Sequence, residues 1–323
     1  MDQNIIGVDV GGTTIKIGIL NEAGNILDKW EIPTNVTNNG TSILTDIWNS
    51  VRQKIDSGQF NEKTFSGIGL GAPGFIHEDS GSVYEAVNIG WKNIEIAREL
   101  KAISKLPVYV QNDANIAVLG ENWLGAGEQA RNLIAITLGT GVGGGIIANG
   151  TILNGENGTA GEIGHITVEE NGYLCNCGRR GCLETIASAT GMVRQAKNKI
   201  KIDPTSRLAS FYQENESITT KDIFELANHG DTLSKEIIDY TADVLGLVIA
   251  NLATIINPSK ILVGGGVSKA GEGFINSIDK TFREYALDRV SKICELKVAQ
   301  LGNDAGIIGA AYLVKQKLNN TAF

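Results

Sequence analysis

The sequence predicts an α/β protein of two lobes, and three observations carry that prediction. Short apolar runs of strand character alternate with longer segments of helical period, which is the pattern of an α/β architecture. An apolar strand, a glycine/threonine turn and a second apolar strand occupy residues 5–19, and the same plan returns at residues 133–147. The chain has 323 residues, enough for about two domains at roughly 150 residues each.

The elements follow in order. The first hairpin runs Ile5-Ile6-Gly7-Val8-Asp9-Val10, then Gly11-Gly12-Thr13-Thr14, then Ile15-Lys16-Ile17-Gly18-Ile19. Its strands are apolar and bounded by turn residues, so its tip is polar and rich in backbone. The second strand closes in a turn at residues 21–24. A helix is expected over 41–57, a strand over 66–70, a helix over 94–103, a strand over 108–111 and a helix over 115–124. The second hairpin reads Leu133-Ile134-Ala135-Ile136-Thr137-Leu138, Gly139-Thr140-Gly141, Val142-Gly143-Gly144-Gly145-Ile146-Ile147, with a turn at Asn149-Gly150. Helices over 188–199, 220–228 and 233–256, a strand over 260–263, and helices over 273–287 and 305–317 complete the chain. The most apolar stretch, 245–256, is too short to span a bilayer and reads as a buried helix. The lobes are expected to comprise residues 1–116 plus 303–323 and residues 117–302, with the last helix packing back on the first lobe.

Composition limits the function. Hydrophobic residues make up 42% and charged residues 20%, so the chain can build a core and is not disordered as a whole. Forty glycines stand against five prolines without a Gly-X-Y period. That surplus is expected in turns and in loops that a ligand approaches closely. The net charge of −8 argues against a nucleic-acid-binding face. It does not exclude a small anion, because backbone N–H groups bind phosphate whatever the net charge. The N-terminus has no basic segment followed by an apolar one, so no signal peptide, no membrane anchor and a cytoplasmic setting with reduced thiols are expected.

Three glycine-rich turns suit phosphate. Asp9 ends a strand before Gly11-Gly12-Thr13-Thr14, a tip of N–H and hydroxyl donors, where the carboxylate can hold Mg²⁺ directly or through water. Gly139-Thr140-Gly141 repeats this tip, and Gly264-Gly265-Gly266 follows the strand at 260–263. Each alone reads equally as a tight turn; the three together favour a nucleotide. No GxxxxGK[ST] loop exists. Gly141-x-Gly143-Gly144-Gly145 leads into a strand rather than a helix, unlike a dinucleotide fingerprint.

At residues 108–115 an apolar strand runs through Gln111-Asn112-Asp113-Ala114-Asn115 into a helix. Asp113 or Asn115 is a candidate cap for that helix. Alternatively, Asp113 accepts a proton from a substrate hydroxyl while Asn112 binds a neighbouring one, as phosphoryl transfer to an alcohol requires.

Glu162-x-x-His165 precedes Cys175-x-Cys177 and Cys182-x-Glu184. One histidine and three cysteines form a standard tetrahedral zinc set, and four protein ligands make a closed, structural site. With one ring nitrogen of His165 on zinc, the other can donate to a ligand hydroxyl. Glu162, His165 and Glu184 then form a polyol-binding wall, the alternative being that both glutamates are solvated or brace the ligands. His77 and His229 read as surface residues, and Cys294 as a core residue.

Together these motifs resemble the ROK family (repressors, open reading frames, kinases) of sugar kinases, over nearly the whole chain. The resemblance rests on Asp9-Val10-Gly11-Gly12-Thr13, Ala72-Pro73-Gly74, Asn88-Ile89-Gly90-Trp91 and Asn112-Asp113-Ala114-Asn115. It continues in Leu138-Gly139-Thr140-Gly141-Val142-Gly143-Gly144-Gly145, Gly161-Glu162-Ile163-Gly164-His165, the run from Cys175 to Glu184, and Gly264-Gly265-Gly266. It implies a two-lobed actin/hexokinase/Hsp70-like (ribonuclease H-like) fold with ATP-Mg²⁺ in a cleft between the lobes. It implies Asp113 as catalytic base, sugar contacts from Gly74, Asn88, Asn112, Glu162, His165 and Glu184, and zinc on His165, Cys175, Cys177 and Cys182. The nucleotide would be met by Asp9, Gly11, Gly12, Thr13, Thr14, Lys16, Gly139, Thr140, Gly141, Gly264, Gly265 and Gly266, with its adenosine on the second lobe. Many members read Gly-Gly-Thr-Lys; here Thr14 takes the lysine place and Lys16 follows on the same strand face, so either is a candidate phosphate contact. The implied reaction is ATP-dependent phosphorylation of glucose by a homodimer or homotetramer. The alternatives are N-acetylmannosamine or N-acetylglucosamine as acceptor, polyphosphate as donor, and a sugar-responsive repressor, which would carry an extra N-terminal DNA-binding segment.

Overall fold

A computed structural model describes residues 3–320, which form two compact units. The first unit takes the chain up to Gln129, then Ile152–Ala160, then everything from Leu301. The second takes Ala130–Thr151 and Gly161–Gln300.

The first unit begins with strands β1 (Asn4–Val10), β2 (Thr14–Asn21) and β3 (Ile26–Pro33), helix α1 (Ile43–Asp56) and strand β4 (Phe65–Ala72). Then come β5 (Ile76–His77), β6 (Ser82–Ala86), β7 (Trp91–Ile94), α2 (Ile96–Ser104), β8 (Val108–Asn112) and α3 (Asp113–Leu124). Among the described residues its main sheet has the order β3-β2-β1-β4-β8, and β5, β6 and β7 form a small second sheet. The β1–β2 hairpin is antiparallel, and β1–β4 and β4–β8 are parallel. One face is built by alternation: Ile6, Val8, Val10, Ile15, Ile17 and Ile19 are fully buried against Ile43, Ile47 and Val51 of α1.

The opposite face explains much of the glycine. Gly18, Gly7 and Gly69 stand side by side across β2, β1 and β4. A Cβ on Gly7 would strike the Ile307 carbonyl, and one on Gly69 would strike that of Ala310. This row lets the backbone of the C-terminal helix, Ala305–Asn320, lie directly on the sheet. Gly309 of that helix meets the Ile116 carbonyl of α3 in the same way. The glycine surplus therefore lies partly inside strands and helices, where close packing requires it, and not only in turns. The boundary expected after residue 116 falls within α3, a helix that packs along its length on the C-terminal helix.

The second unit holds β9 (Leu133–Leu138), β10 (Val142–Ala148), β11 (Thr151–Ile152, whose last residue falls to the first unit), α4 (Glu184–Ala187), α5 (Ala189–Ile202), α6 (Arg207–Asn215) and α7 (Thr220–Asn228). It continues with α8 (Thr232–Ile256), β12 (Lys260–Gly264), α9 (Glu272–Tyr285), α10 (Asp288–Ser291) and β13 (Glu295–Val298). Its sheet order is β11-β10-β9-β12-β13. Strand for strand this repeats the first unit: hairpin partner and edge strand on one side, two parallel strands on the other. The sequence echo is thus a topological repeat, and the shared order is that of the ribonuclease H-like, actin/hexokinase/Hsp70-like fold.

Helix α8 runs from Thr232 to Ile256, one residue longer than expected. Its 25 residues are long and apolar enough to cross a membrane by length and composition, but half of the apolar window is buried in the protein. Ile237, Ala242, Leu245, Ile249 and Ala253 face the core, while Lys235, Glu236, Asp239 and Asp243 are exposed. That is an amphipathic core helix. Strand β3 is not among the expected strands: its burial alternates strictly, but Asp28 interrupts the apolar series Ile26, Trp30 and Ile32 on the half-buried face of an edge strand that ends at Pro33. Edge positions tolerate charge and proline.

Candidate active site

In the first unit, the β1–β2 tip is braced from within and from behind. Gly11 N–H donates to the Thr14 carbonyl at 3.0 Å. Thr34, just past β3, donates its N–H to the Thr13 carbonyl at 2.9 Å and its hydroxyl to the Gly11 carbonyl at 2.7 Å. These bonds turn tip carbonyls toward the protein, and Gly12 and Thr13 are exposed. Nothing local in the sequence marks Thr34 for this task.

Asp9 and Lys16 are directly paired across the hairpin, on the glycine face. Thr14 and Lys16 share that face, while Ile15 and Ile17 point into the core. Burial raises the Asp9 carboxyl above its ordinary pKa, and the Lys16 ammonium pulls it back. A half-buried carboxylate at the base of a donor-rich tip suits a hydrated divalent cation.

The small sheet places two further residues. Gly74 has φ +91 and lies so close to the Glu85 backbone that a side chain would collide with it. Asn88 is exposed in the turn before β7, and a Cβ on Gly12 would lie 3.9 Å from its Cβ.

The β8–α3 junction carries the expected catalytic pair. Neither Asp113 nor Asn115 caps α3: Asn112 does, its Oδ1 accepting from Ala114 N–H at 2.9 Å and Asn115 N–H at 3.2 Å. Asn112 Nδ2 donates to the Gly74 carbonyl at 3.1 Å. Its carboxamide therefore locks the junction, and one of its two Nδ2 hydrogens is left for a ligand. Asp113, the first helical residue, accepts from Ala114 N–H at 2.8 Å through Oδ1 and sits at the positive end of α3.

In the second unit, the β9–β10 tip repeats the design. Gly139 N–H donates to the Gly141 carbonyl at 2.9 Å. The start of α5 then ties the carbonyls back: Ala189 N–H to Gly139 at 2.8 Å, and the Thr190 hydroxyl to Thr140 at 2.9 Å. Gly265, at φ +87, lies on the backbone of Leu138. Gly266 faces a cavity of about 720 Å³ that is also lined by Gly139, Thr140, Thr220, Lys221 and Phe224. Helix α7 was not foreseen as part of a site. Its sequence signal was the capping box of Thr219 and Asp222, which fixes a helix start at Thr220 beside the cavity.

His165, Cys175, Cys177 and Cys182 converge, with their ligand atoms all within 4.8 Å of one another. Cys177 Sγ and Cys182 Sγ are 3.6 Å apart, and His165 Nδ1 is 3.6 Å from Cys175 Sγ. A zinc tetrahedron with sulfur at about 2.3 Å has sulfur–sulfur edges of about 3.8 Å, so the donor set fits Zn²⁺. Gly178 and Gly181, both at positive φ, make the tight turns. The backbone N–H of Arg179 lowers the Cys177 thiol to about 6, whereas burial pushes Cys182 up to about 12. Cys294 is buried elsewhere, in the core.

The remaining nitrogen of His165, Nε2, faces Glu162 Oε2 at 3.9 Å. Burial raises the Glu162 carboxyl, His165 opposes the shift and Glu184 adds to it. Glu184 Oε2 accepts from Val142 N–H at 3.0 Å and Oε1 from Cys175 Sγ at 3.6 Å. One carboxylate thus touches both the β9–β10 hairpin and the cysteine loop, a link the linear motif does not reveal.

The sequence profile of the ROK family matches residues 5–317. The chain is 52% identical to a glucokinase of Halalkalibacterium halodurans over 320 residues, 99% of this chain and 97% of that one. It is 36% identical to a glucokinase of Thermotoga maritima over 315 residues, 97% and 98% of the two chains. The crystal structure of a ROK family glucokinase from Streptomyces griseus in complex with glucose and AMPPNP matches with a TM-score of 0.77 at 36% identity, covering 97% of this chain and 99% of that one. A profile match over almost the whole length, with every motif in order, means that this chain belongs to the ROK family.

Proposed function

We propose that the protein is a sugar kinase that transfers the γ-phosphoryl group of ATP to the 6-hydroxyl of glucose. The observation that carries this reading is the 52% identity with the Halalkalibacterium halodurans glucokinase across 99% of the chain. The chemistry of the residues supports it.

Asp113 is the base. The C6 oxygen attacks the γ-phosphorus in line, the bond from that phosphorus to the β,γ-bridging oxygen breaks, ADP leaves, and the hydroxyl proton passes to the Asp113 carboxylate. Support comes from its place at the end of β8, where Asn112 locks the helix start. Gly74, Asn88, Asn112, Glu162, His165 and Glu184 bind the sugar hydroxyls, carboxylates accepting and the free His165 nitrogen donating. The N–H and hydroxyl groups of Gly11, Gly12, Thr13, Thr14, Gly139, Thr140 and Gly141, with Lys16, bind the phosphates, where preorganised donors stabilise developing charge. Gly264, Gly265 and Gly266 admit the nucleoside, beside Phe224. Asp9 would hold the Mg²⁺ that accompanies ATP and neutralises phosphate charge. His165, Cys175, Cys177 and Cys182 would hold a structural Zn²⁺ that keeps His165 and its neighbours in place. The reading includes a cytoplasmic setting and a homodimer or homotetramer, and the net charge of −8 speaks against a nucleic-acid partner.

A panel of sugars with ATP and Mg²⁺, compared by kcat/KM, tests the reading. Glucose is expected to lead. A clear preference for N-acetylmannosamine or N-acetylglucosamine would overturn the acceptor, and a preference for polyphosphate would overturn the donor. Light scattering of the purified protein tests the oligomer.

A further inference from the structure

The penultimate residue of strand β8 breaks its apolar pattern. Gln111 is only 5% exposed and carries an amide into the interior. Its Oε1 accepts from the backbone N–H of Asn112 at 2.8 Å and from Asn115 Nδ2 at 3.2 Å. Its Nε2 donates to Asn154 Oδ1 at 2.9 Å, which also accepts from Asn115 Nδ2 at 3.4 Å. Asn154 Nδ2 in turn donates to Glu78 Oε2 at 2.5 Å, and Glu78 Oε1 accepts from Lys317 Nζ at 3.3 Å. Asn115 and Asn154 are buried like Gln111. All these residues belong to the first unit, which Asn154 enters on the segment Ile152–Ala160.

The direction of this chain of bonds follows from chemistry. A carboxylate only accepts, so Asn154 must turn its NH₂ toward Glu78 and its oxygen inward. Gln111 and Asn115 must then offer their NH₂ groups to that oxygen. Gln111 is left with its own oxygen for the Asn112 N–H. One charge at Glu78 thus orients three buried amides, and the last bond falls on the residue that caps α3 and precedes Asp113.

We propose that Asn154 is a positioning residue for Asp113. It supplies the one acceptor that Gln111 and Asn115 share, and so fixes the backbone at the β8–α3 junction. This rests on the reading of Asp113 as the base. When Asn154 is truncated, the buried Gln111 NH₂ loses its acceptor and the Asn115 NH₂ loses one of its two, which is costly in a dry site. Rotation of Gln111 relieves that cost only by giving up the Asn112 N–H, and the carboxylate one residue on moves with it.

The test is steady-state kinetics on the full chain. Asn154→Ala is expected to lower kcat for glucose about ten- to a hundredfold, the usual effect of losing an orienting partner. KM for Mg-ATP should change less than about threefold, since no residue of the network lines the cavity beside Phe224. Single-turnover rates in the Asp113→Asn background should show no further loss on adding Asn154→Ala. Asn154→Asp keeps the shape but sets two acceptors against each other and should lower kcat as much. Adding Glu78→Gln restores a donor toward the new carboxylate, and kcat should return to within about threefold of wild type. This isosteric pair decides the matter even where the alanine variant fails to fold. Wild-type kcat in folded Asn154→Ala, an equal further loss in the Asp113→Asn background, or no rescue by the exchanged pair would each overturn the positioning role. A wild-type protein inert toward every sugar would instead overturn the kinase reading.

Discussion

The carboxylate of Asp9 lies against the first turn of the C-terminal helix: a Cβ placed on Gly306 would stand 2.5 Å from its Oδ2 and 2.7 Å from its Cγ. Residues almost a chain length apart share one space, and only glycine leaves the acid room. Gly306→Ala should therefore displace the carboxylate although alanine favours the helix itself. KM for Mg-ATP is expected to rise about tenfold, as for a lost orienting contact, with an unchanged circular dichroism spectrum. An unchanged KM would detach the position of Asp9 from nucleotide binding.

Asp9 also links stability to pH. Burial raises its folded pKa above the ordinary carboxylate value of 3.8. The native state then holds the proton more tightly than the unfolded chain, so stability falls as pH rises through that window. At neutral pH, Asp9→Asn should raise the Tm of the metal-free protein on the order of 2 °C while abolishing Mg-ATP turnover. Below pH 3.8 the gain should vanish. Lower Tm at neutral pH would show that the charge is already compensated in the free protein.

Gly265 and Gly266 are neighbours with opposite expectations. A side chain on Gly265 would strike the Leu138 backbone at a positive φ, whereas one on Gly266 would meet nothing within 4 Å. Gly265→Ala is expected to lower Tm by several degrees, as strained backbone costs about 1–3 kcal/mol. Gly266→Ala should leave Tm unchanged and raise KM for ATP, because only a bound nucleotide would feel the methyl group. Equal Tm losses in both would remove Gly266 from the nucleotide site.

The metal site has its own signature. Purified protein should contain one zinc per chain by elemental analysis. A strong chelator should lower Tm and raise KM for glucose more than KM for ATP, because His165 is both ligand and neighbour of Glu162. Protein that is fully active and equally stable without zinc would overturn the assignment.

The sequence made legible what is local. The two hairpins could be recognised because alternation and tip chemistry occupy about fifteen residues each, and the cysteine cluster because its ligands sit on one short loop. The Asn112 cap was visible as a motif but assigned to its neighbours, since Asn112, Asp113 and Asn115 all have the chemistry and only φ and ψ separate them. Thr34, Asn154 and Phe224 were not legible. Each reaches its site through a fold-level contact with residues 20 to 80 positions away, which no periodicity encodes. The strand glycines were half legible for a related reason: Gly7 and Gly69 fall within expected strands, but what they make room for is a helix 300 positions on for Gly7.

That helix also sets an order of assembly. Synthesis proceeds from the N-terminus, and domains fold as their parts emerge. The second unit is complete by Gln300. The first is not, because the row Gly18-Gly7-Gly69 stays uncovered until Ala305–Asn320 has left the ribosome. The half of the protein made first is therefore the half finished last. For that interval α3, which carries Asp113, lacks the helix it packs on, so the Asp113 carboxylate is set only after that helix has emerged.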